Sequence, residues 1–460
     1  MRVPAGLSLL RADLRLMLRE PDFRRLLTTR LVSQAGDGAF TAGIGAYVFF
    51  TQNTFPDPAS AAAAFAVLYL PYSLIGPFAG VFIDRWSRRQ ILAWSAVIRA
   101  AFVALTGWLV WSGTTGVPMY VSVLLVLGVN RFFLSSLSAA LPHVVAEDSL
   151  VTANSLTTTA GTVTSFLGGL IGLAVHVVSG GGRSNSALIL LAAGVAYLLA
   201  GTAATTMRRD RLGPPPLALG RARASVPHEL SLVARGLVSG ARHAWRQRPA
   251  AAALGVTASQ RVWYGILFLM SILLYRNYFY SGSSANSSLG HFALVVIAAA
   301  IGYGTAAVVT PLATRRLAKQ AWMTLLLTAG GIVTGVLGPT FAQPAFLVIA
   351  FALGVAAQGI TICATTIIQQ VMGDAYRGRV FALWDMLFNV PFVVGAVVAA
   401  QVIPDDGKSY PLLLVTAAGY LASAAGYGFV SRHSLAGGPA GPPGPGGEET
   451  PSASAQRSSS

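Results

Sequence analysis

Twelve long apolar stretches constrain the fold of this 460-residue chain more than any other feature of its sequence. Each has about 20 mainly apolar residues, the length that an α-helix needs to cross the hydrocarbon core of a bilayer. Because a spanning backbone must satisfy its own hydrogen bonds, the stretches predict helices and not irregular loops. They lie near residues 28–51, 62–83, 90–111, 118–141, 153–178, 186–207, 251–274, 289–313, 321–341, 344–371, 380–403 and 410–431.

The composition also indicates a membrane protein, because 54% of the residues are hydrophobic and only 10% are charged. Soluble domains carry about 25% charged residues. The formal net charge is +16, and most of the 32 basic residues lie on the N-terminal arm, in alternate loops and on the C-terminal tail. This asymmetry follows the positive-inside rule and predicts a plasma (inner) membrane protein with both termini in the cytoplasm. The topology therefore explains the excess of basic residues, and we expect no nucleic acid partner.

The segment between the sixth and seventh stretches differs from the other loops. It is rich in arginine, contains three consecutive prolines at 214–216, and repeats apolar residues at helical spacing. That pattern predicts an amphipathic helix on the cytoplasmic leaflet. The expected organisation is an arm (1–23), a six-helix bundle (24–207), a linker (208–249), a second six-helix bundle (250–431) and a disordered tail (432–460).

The two halves share a short repeated pattern, as transporter folds often do. Ser33-Gln34 in the first stretch is repeated as Ser259-Gln260 in the seventh. The charged turn after the second stretch is partly repeated after the eighth, where two arginines and a lysine stand without the aspartate. We treat the repeat as support for two related halves.

Residue types for enzyme or cofactor chemistry are scarce. The one cysteine, Cys363, lies in an apolar stretch, which excludes an internal disulfide and a multi-cysteine metal site. The six histidines are scattered, and only His176 lies in a predicted span. Residues 407–409 (Gly-Lys-Ser) resemble the end of a phosphate-binding loop, but Val402 stands at the position of its first glycine. We expect no enzyme activity, no metal, no cofactor and no step driven by a nucleotide.

A charged turn follows the second stretch and reads Gly80-Val-Phe-Ile-Asp84-Arg85-Trp-Ser-Arg88-Arg89. It resembles the signature of the major facilitator superfamily of secondary transporters, which has Gly, three residues, Asp-Arg, any residue, Gly and two basic residues. Ser87 replaces the second glycine. The likeness extends over about residues 24–431. It implies an all-α membrane protein with twelve transmembrane helices in two six-helix halves, acting on a small molecule as a monomer by alternating access.

Within the superfamily, the chain resembles most the macrolide-efflux and enterobactin-exporter branch. The likeness lies in the segments Ser33-Gln34-Ala35-Gly36-Asp37, Leu141-Pro142, Ala153-Asn154-Ser155-Leu156 and Arg377-Gly378-Arg379-Val380. Two features depart from the exporter pattern. The glycine-rich fifth span has no Gly-Pro pair, and Ser135 stands four residues after Arg131, where the family has a glycine. The branch implies an exporter of drugs, siderophores or secondary metabolites that exchanges its substrate for protons.

Five charged residues lie inside predicted spans. Left unpaired at a helix centre, each would cost about 2.5–3.5 kcal/mol. At about 1.5 Å per residue, each lies roughly 8–18 Å from the cytoplasmic end of its span. Pairing or a water-filled cavity is therefore required. The five residues are Asp37, Arg99, Arg131, Arg261 and Asp385.

In the superfamily, spans one, four, seven and ten line the central cavity. The resemblance therefore places Asp37, Arg131 and Arg261 there, and we expect Asp37 to pair with Arg131 or Arg261 in one state and to lose that partner in another. A carboxylate without its cationic partner binds a proton more readily, as proton coupling requires. A permanent structural ion pair is the alternative. Asp385 lies close to water, and Arg99, on a span outside the cavity, is expected to be structural.

The charged turn has its own expected role as a cytoplasmic gate. The resemblance implies that its aspartate faces the start of the eleventh span, near Arg377 and Arg379. The arginines of the turn would meet Glu147 or Asp148 beyond the fourth span. In the alternative interpretation, these arginines only orient the chain in the membrane. The gating residues are Gly80, Asp84, Arg85, Arg88 and Arg89.

Polar and aromatic residues in the spans are candidates for contacts with the substrate. They are Gln34, Asn130, Gln260, Trp263, Tyr264, Gln358 and Asn389. Together with the branch resemblance, they favour a proton-coupled exporter of an amphipathic small molecule. Three alternatives stay open: an importer, a lysophospholipid transporter of the same fold, and a membrane receptor or scaffold that transports nothing.

Overall fold

A computed structural model of the chain describes residues 19–50, 58–74, 87–145, 150–207, 226–280, 285–372 and 374–436. Within these ranges the regular structure is helical. The first set of helices is α1 (Pro21–Phe50), α2 (Pro58–Leu74), α3 (Arg88–Ser112), α4 (Val117–Ala140), α5 (Leu150–Val178) and α6 (Arg183–Thr205). A connecting helix, α7 (Val226–Arg246), follows. The second set is α8 (Arg248–Leu273), α9 (Ala285–Ala313), α10 (Lys319–Leu337), α11 (Gln343–Val371), α12 (Asp374–Ala400) and α13 (Tyr410–Ala436).

Ten of the described helices are long and apolar enough to cross a membrane, namely α3 to α6 and α8 to α13. The helix α1 has 30 residues but is interrupted by polar side chains, and the described part of α2 has 17 residues. Large apolar side chains such as Trp94, Trp108 and Ile171 are more than half exposed, as expected of a surface that faces lipid. The predicted all-helical membrane fold, with two sets of six helices, is confirmed.

Within each half, helices approach closely where glycine removes the side chain. A Cβ atom on Gly38 of α1 would overlap the backbone of Ser165 in α5. In the second half, a Cβ atom on Gly265 of α8 would overlap the backbone of Phe392 in α12. Small residues at such crossings allow van der Waals packing, which holds membrane helices together where lipid offers no hydrophobic drive.

We call the end of the bundle where α6 ends and α8 begins the linker end, and the opposite end the far end. At the far end the halves are closed by aromatic rings. Phe65 of α2 packs against Phe268 of α8 and Phe392 of α12, with ring centroids 5.5 and 5.7 Å apart. Arg276, just beyond α8, donates a 3.2 Å hydrogen bond from Nη1 to the carbonyl oxygen of Phe49 in α1. Two of these rings, Phe65 and Phe392, are buried in the contact between the halves.

Toward the linker end, α12 is more open. Residues 381–391 of this helix are all partly exposed, whereas Phe392, Val393 and Ala396, nearer the far end, are buried. The transition falls within one helix, between Asp385 and Phe392. The halves are therefore closed at the far end and more accessible at the linker end.

The connecting helix α7 packs against the start of α12. Gly240 lies against Arg379, and the ring of His243 stacks on Tyr376 with centroids 4.2 Å apart. The opposite side of α7 exposes Val238 and Trp245. Exposed arginines lie beside these apolar residues, which is the pattern of a helix in the plane of a membrane interface.

Candidate functional site

Asp37 of α1, which is only slightly exposed, forms an ion pair with α3. A side-chain oxygen of Asp37 accepts a hydrogen bond from Nη2 of Arg99. The pairing of Asp37 with Arg131 or Arg261 that is predicted for one state is not the pairing of this conformation, in which the partner is Arg99. The Arg99 side chain is 0% exposed and that of Asp37 is 12% exposed, so each charge needs the other.

Three further side chains complete this network. Tyr197 of α6 donates a 3.0 Å hydrogen bond from its hydroxyl to the same oxygen of Asp37, and Arg99 donates a 2.9 Å bond to the Ser33 hydroxyl. The guanidinium of Arg99 also lies 3.7 Å from the centre of the Tyr197 ring. Asn130 of α4 hydrogen-bonds Asp37 as well. Side chains from four helices of the first half thus converge on one carboxylate.

A second ion pair joins the two halves toward the linker end. Arg131 of α4 and Asp385 of α12 approach to 3.9 Å between Nη2 and Oδ2. The Asp385 side chain is 49% exposed, as expected for a carboxylate close to water, and that of Arg131 is 16% exposed. Pairs that water reaches contribute at most about 1 kcal/mol. A contact of this strength can form and break between conformations.

The third charged position, Arg261 of α8, has no such partner. Its side chain is buried, with the residue 6% exposed, and its Nε atom has no hydrogen-bond partner. Within the described residues it forms no ion pair; its guanidinium instead lies 3.2 Å from the centre of the Phe388 ring. An unpaired cation in a span costs about 2.5–3.5 kcal/mol, which the ring offsets in part.

The predicted substrate contacts divide into two groups. Gln34, Tyr264, Gln358 and Asn389 are partly exposed on α1, α8, α11 and α12, and Asn389 donates a hydrogen bond to the Asp385 carbonyl. The three others are buried or already bonded to other side chains of the protein. Asn130 binds Asp37 and Gln260 is buried. Trp263 donates from Nε1 to the hydroxyls of Ser259 and Ser423, 3.2 and 3.0 Å away.

Two arginines of the predicted gate lie in the described part of the chain. Arg88 hydrogen-bonds His143 after α4, with Nη1 and Nε2 2.6 Å apart, and Arg89 binds the carbonyl oxygen of Thr205 at the end of α6. Both contacts stay within the first half. The other predicted gating positions, Gly80, Asp84 and Arg85, lie outside the described residues, as do Glu147 and Asp148.

The eleventh-span partner expected for the gate is described only in part. The side chain of Arg377 lies outside the described residues. Arg379 donates a 3.3 Å hydrogen bond to Ser239 of α7. The start of α12 is therefore tied to the connecting helix.

Sequence reasoning missed two members of the Asp37 network, Ser33 and Tyr197. It predicts a structural role for Arg99, and the structure adds that Arg99 pairs with Asp37. In the sequence, Ser33 stands out only through the Ser-Gln repeat and the branch resemblance. Tyr197 carries no signal in the sequence, because tyrosine is common in membrane helices.

A groove of about 330 Å³ opens between α1, α5 and α6. Its lining is almost entirely apolar, with small residues such as Ala39 and Gly172 beside Ile171 and Val175. It presents no charged side chain, so it suits a lipid chain better than a polar ligand. Within the described ranges, no group of three His, Cys, Asp or Glu side chains is placed to hold a metal ion.

Comparison with known proteins agrees with this architecture. Residues 26–396 match the profile of the Major Facilitator Superfamily. The chain is 36% identical over 412 residues to the uncharacterized MFS-type transporters Rv0037c of Mycobacterium tuberculosis and Mb0038c of Mycobacterium bovis. That alignment covers 90% of this chain and 92% of each relative.

Solved structures resemble the chain in fold. The nucleoside transporter NupG gives a TM-score of 0.59 at 16% identity, covering 90% of this chain and 98% of its own. The peptide transporter POT in complex with sulfate gives 0.64 at 13% identity, covering 90% and 94%. The family profile spans most of the sequence, and the helices of both halves follow the same fold. The chain therefore belongs to the major facilitator superfamily.

Proposed function

We propose that this transporter is a proton-coupled exporter of an amphipathic small molecule, with Asp37 as the proton-binding residue. The observation that carries the proposal is the pair between Asp37 and the buried Arg99, held by Tyr197 and Ser33. A carboxylate whose charge is balanced by a single buried cation changes its surroundings when it takes up a proton. The superfamily fold supplies the alternating access to which that change is coupled.

The proposed cycle begins in the described conformation. The far end is closed by the rings around Phe65, and the linker end is more open at Asp385. Protonation of Asp37 removes the negative charge that Arg99 needs. Because a buried, unpaired guanidinium is costly, α1 and α3 shift relative to each other and favour the alternative conformation. Release of the proton restores the pair and returns the transporter to its starting state.

The remaining parts of the proposal rest on sequence. The positive-inside rule supports a plasma-membrane protein with cytoplasmic termini, so that the linker end faces the cytoplasm. The resemblance to the macrolide-efflux and enterobactin-exporter branch supports export, and the family supports a monomer. Nucleoside and peptide transporters are among the structural neighbours, but at this identity they support only the fold.

The test is substrate efflux from cells that lack their main efflux pumps. A chemically broad panel of compounds is compared in cells with wild-type protein, Asp37→Asn or Glu20→Gln, at matched membrane levels. The exposed Glu20 provides the same carboxylate-to-amide change outside the network. We expect wild type and Glu20→Gln to lower the accumulation of at least one compound, and Asp37→Asn to lose most of this activity.

Three outcomes would contradict the proposal in different ways. Equal efflux by all three proteins would indicate that Asp37 has only a structural role. Increased accumulation in cells with the wild type would indicate import and not export. Unchanged accumulation across the panel would favour a dedicated cargo or a receptor role over multidrug export.

A further inference from the structure

Arg261 is a buried cation for which the protein provides no counter-charge in the described residues. The two carboxylates inside the spans are engaged elsewhere. Asp37 pairs with Arg99, and Asp385 lies 3.9 Å from Arg131. Arg261 itself is 6% exposed and forms neither a hydrogen bond nor an ion pair in that part of the chain. Buried charges in proteins are normally paired, so this position is prepared for a partner from outside.

The neighbours of Arg261 are aromatic. Its guanidinium lies 3.2 Å from the centre of the Phe388 ring and 5.7 Å from that of Tyr264. The Trp384 ring packs in turn on the Phe388 ring, with centroids 5.0 Å apart. Tyr264 and Trp384 are both partly exposed. The surroundings thus offer ring surface for an apolar body next to one positive charge.

Two of the unused polar atoms near this cluster are hydrogen-bond donors. Nε of Arg261 and Nε1 of Trp384 are buried and have no partner in the described structure, whereas the adjacent Gln260 hydrogen-bonds the Tyr420 hydroxyl. Neither of the two unpartnered nitrogen atoms accepts a hydrogen bond. A ligand that satisfies them must supply acceptors, and one that also neutralises Arg261 must carry a negative charge.

We propose that the substrate is an organic anion with a flat apolar body, and that Arg261 binds its carboxylate, sulfonate or phosphate group between α8 and α12. Guanidinium pairs with such groups through two parallel hydrogen bonds. The body of the substrate then lies on Phe388, Trp384 and Tyr264. The inference rests on the proposed transport function and gives the class of molecule that is carried.

The test uses the full-length protein in a non-ionic detergent and three probes that share a naphthalene ring. The probes are 2-naphthalenesulfonate, 2-naphthylmethylammonium and 2-naphthalenemethanol, which are negative, positive and neutral. Binding is measured by calorimetry for the wild type, Arg261→Gln, Arg261→Lys and Arg316→Gln. Arg316 is an exposed arginine of the same half and controls for loss of charge.

We expect the sulfonate to bind the wild type about tenfold more tightly than either other probe, because a charge-assisted hydrogen bond forms. Arg261→Gln should bind the sulfonate about tenfold more weakly than the wild type does. Arg261→Lys should retain part of the affinity, since lysine keeps the positive charge but lacks the two parallel N–H donors of a guanidinium. Arg316→Gln should bind as the wild type does. Trp384→Leu, which leaves the Arg261 charge in place, should weaken binding of the sulfonate by a smaller factor.

Several results would overturn the inference. These are equal affinity for the three probes, no sulfonate binding by a wild type that melts cooperatively, and unchanged binding by Arg261→Gln. If phosphatidylglycerol added to the detergent displaces the sulfonate, and cells expressing the transporter export no naphthalene anion, the site holds a lipid headgroup and not a substrate.

The two proposals fail separately. Binding in detergent needs no gradient, so sulfonate binding without proton-driven transport in proteoliposomes would reject the proton coupling and leave the anion site intact. Proton-driven transport of the ammonium probe but not of the sulfonate would reject the anion site and leave the coupling intact.

Discussion

The repeated Ser-Gln pair allows the two halves to be compared at equivalent positions of their first helices. In the first half, Ser33 binds Arg99, and the residue four positions later is Asp37, held by Tyr197 of α6. In the second half, the residue four positions after Ser259 is Trp263, which donates to Ser259 and to Ser423 of α13.

The comparison shows that the repeat preserves geometry and not chemistry. In each half, the residue one turn after the serine reaches the last helix of that half, α6 or α13. The first half places an ionisable network there, and the second half a neutral one. In the second half the buried charge is instead Arg261, which lies against Phe388 of α12 and forms no ion pair within the described residues. This division matches our proposals that one half binds the proton and the other the substrate anion.

The largest effect should come from breaking the charged network. Arg99→Met leaves Asp37 buried without its cation, which typically costs about 3–5 kcal/mol. We expect the melting temperature in detergent to fall sharply and transport to be lost. The double variant Arg99→Met with Asp37→Asn should recover most of the stability but none of the proton coupling. A single variant as stable as the wild type would show that the pair is not buried in solution.

A smaller effect should come from removing one hydrogen-bond donor from each of the two networks, the one around Asp37 and the one around Trp263. Tyr197→Phe and Trp263→Phe each remove one donor, for about 1 kcal/mol of stability. With Tyr197→Phe, the Asp37 carboxylate loses a bond to its charged form, so proton-driven transport should extend to higher pH. Trp263→Phe should leave the pH profile of transport unchanged. Identical pH profiles for both variants would remove the distinction between the halves.

The smallest effect should come from the ion pair between the halves. Because Asp385 is half exposed, Asp385→Asn should change stability by about 1 kcal/mol or less. We expect a modest change in transport rate, because the pair biases the closing of the linker end. Exchanging the charges, with Arg131→Asp and Asp385→Arg together, should restore the rate more fully than either single change. Failure of the exchange would indicate that each residue acts alone.

Part of the candidate site could be predicted from the sequence, because an intramembrane charge is costly wherever it lies. That reasoning identified five residues that require partners or water: Asp37, Arg99, Arg131, Arg261 and Asp385. It did not include the partner that Asp37 has in this conformation, since it limited the choice to the helices that line the cavity in the superfamily. Arg99 lies on α3 and still reaches Asp37 through its long side chain.

Trp263 illustrates the same limit at a neutral position. Its aromatic type and its place in the seventh stretch favour a substrate contact. In the structure, its indole lies against Gly419 of α13 and donates to two serines, so its polar atom is already used. The sequence gives no sign that Gly419 and Ser423 make room for the ring and accept its hydrogen.

The sequence by itself determined the helices, their number, the superfamily and the presence of charges that need compensation. These properties depend on local patterns: apolar length sets a span, and a rise of about 1.5 Å per residue sets the depth of each charge. The tertiary structure alone decided which charges meet. Depth does not specify the direction in which a side chain leaves its helix or which helix lies beside it, and those are set by close packing between residues far apart in the chain. That packing pairs Asp37 with Arg99 and places Arg261 against the Phe388 ring, without an ion pair in the described residues.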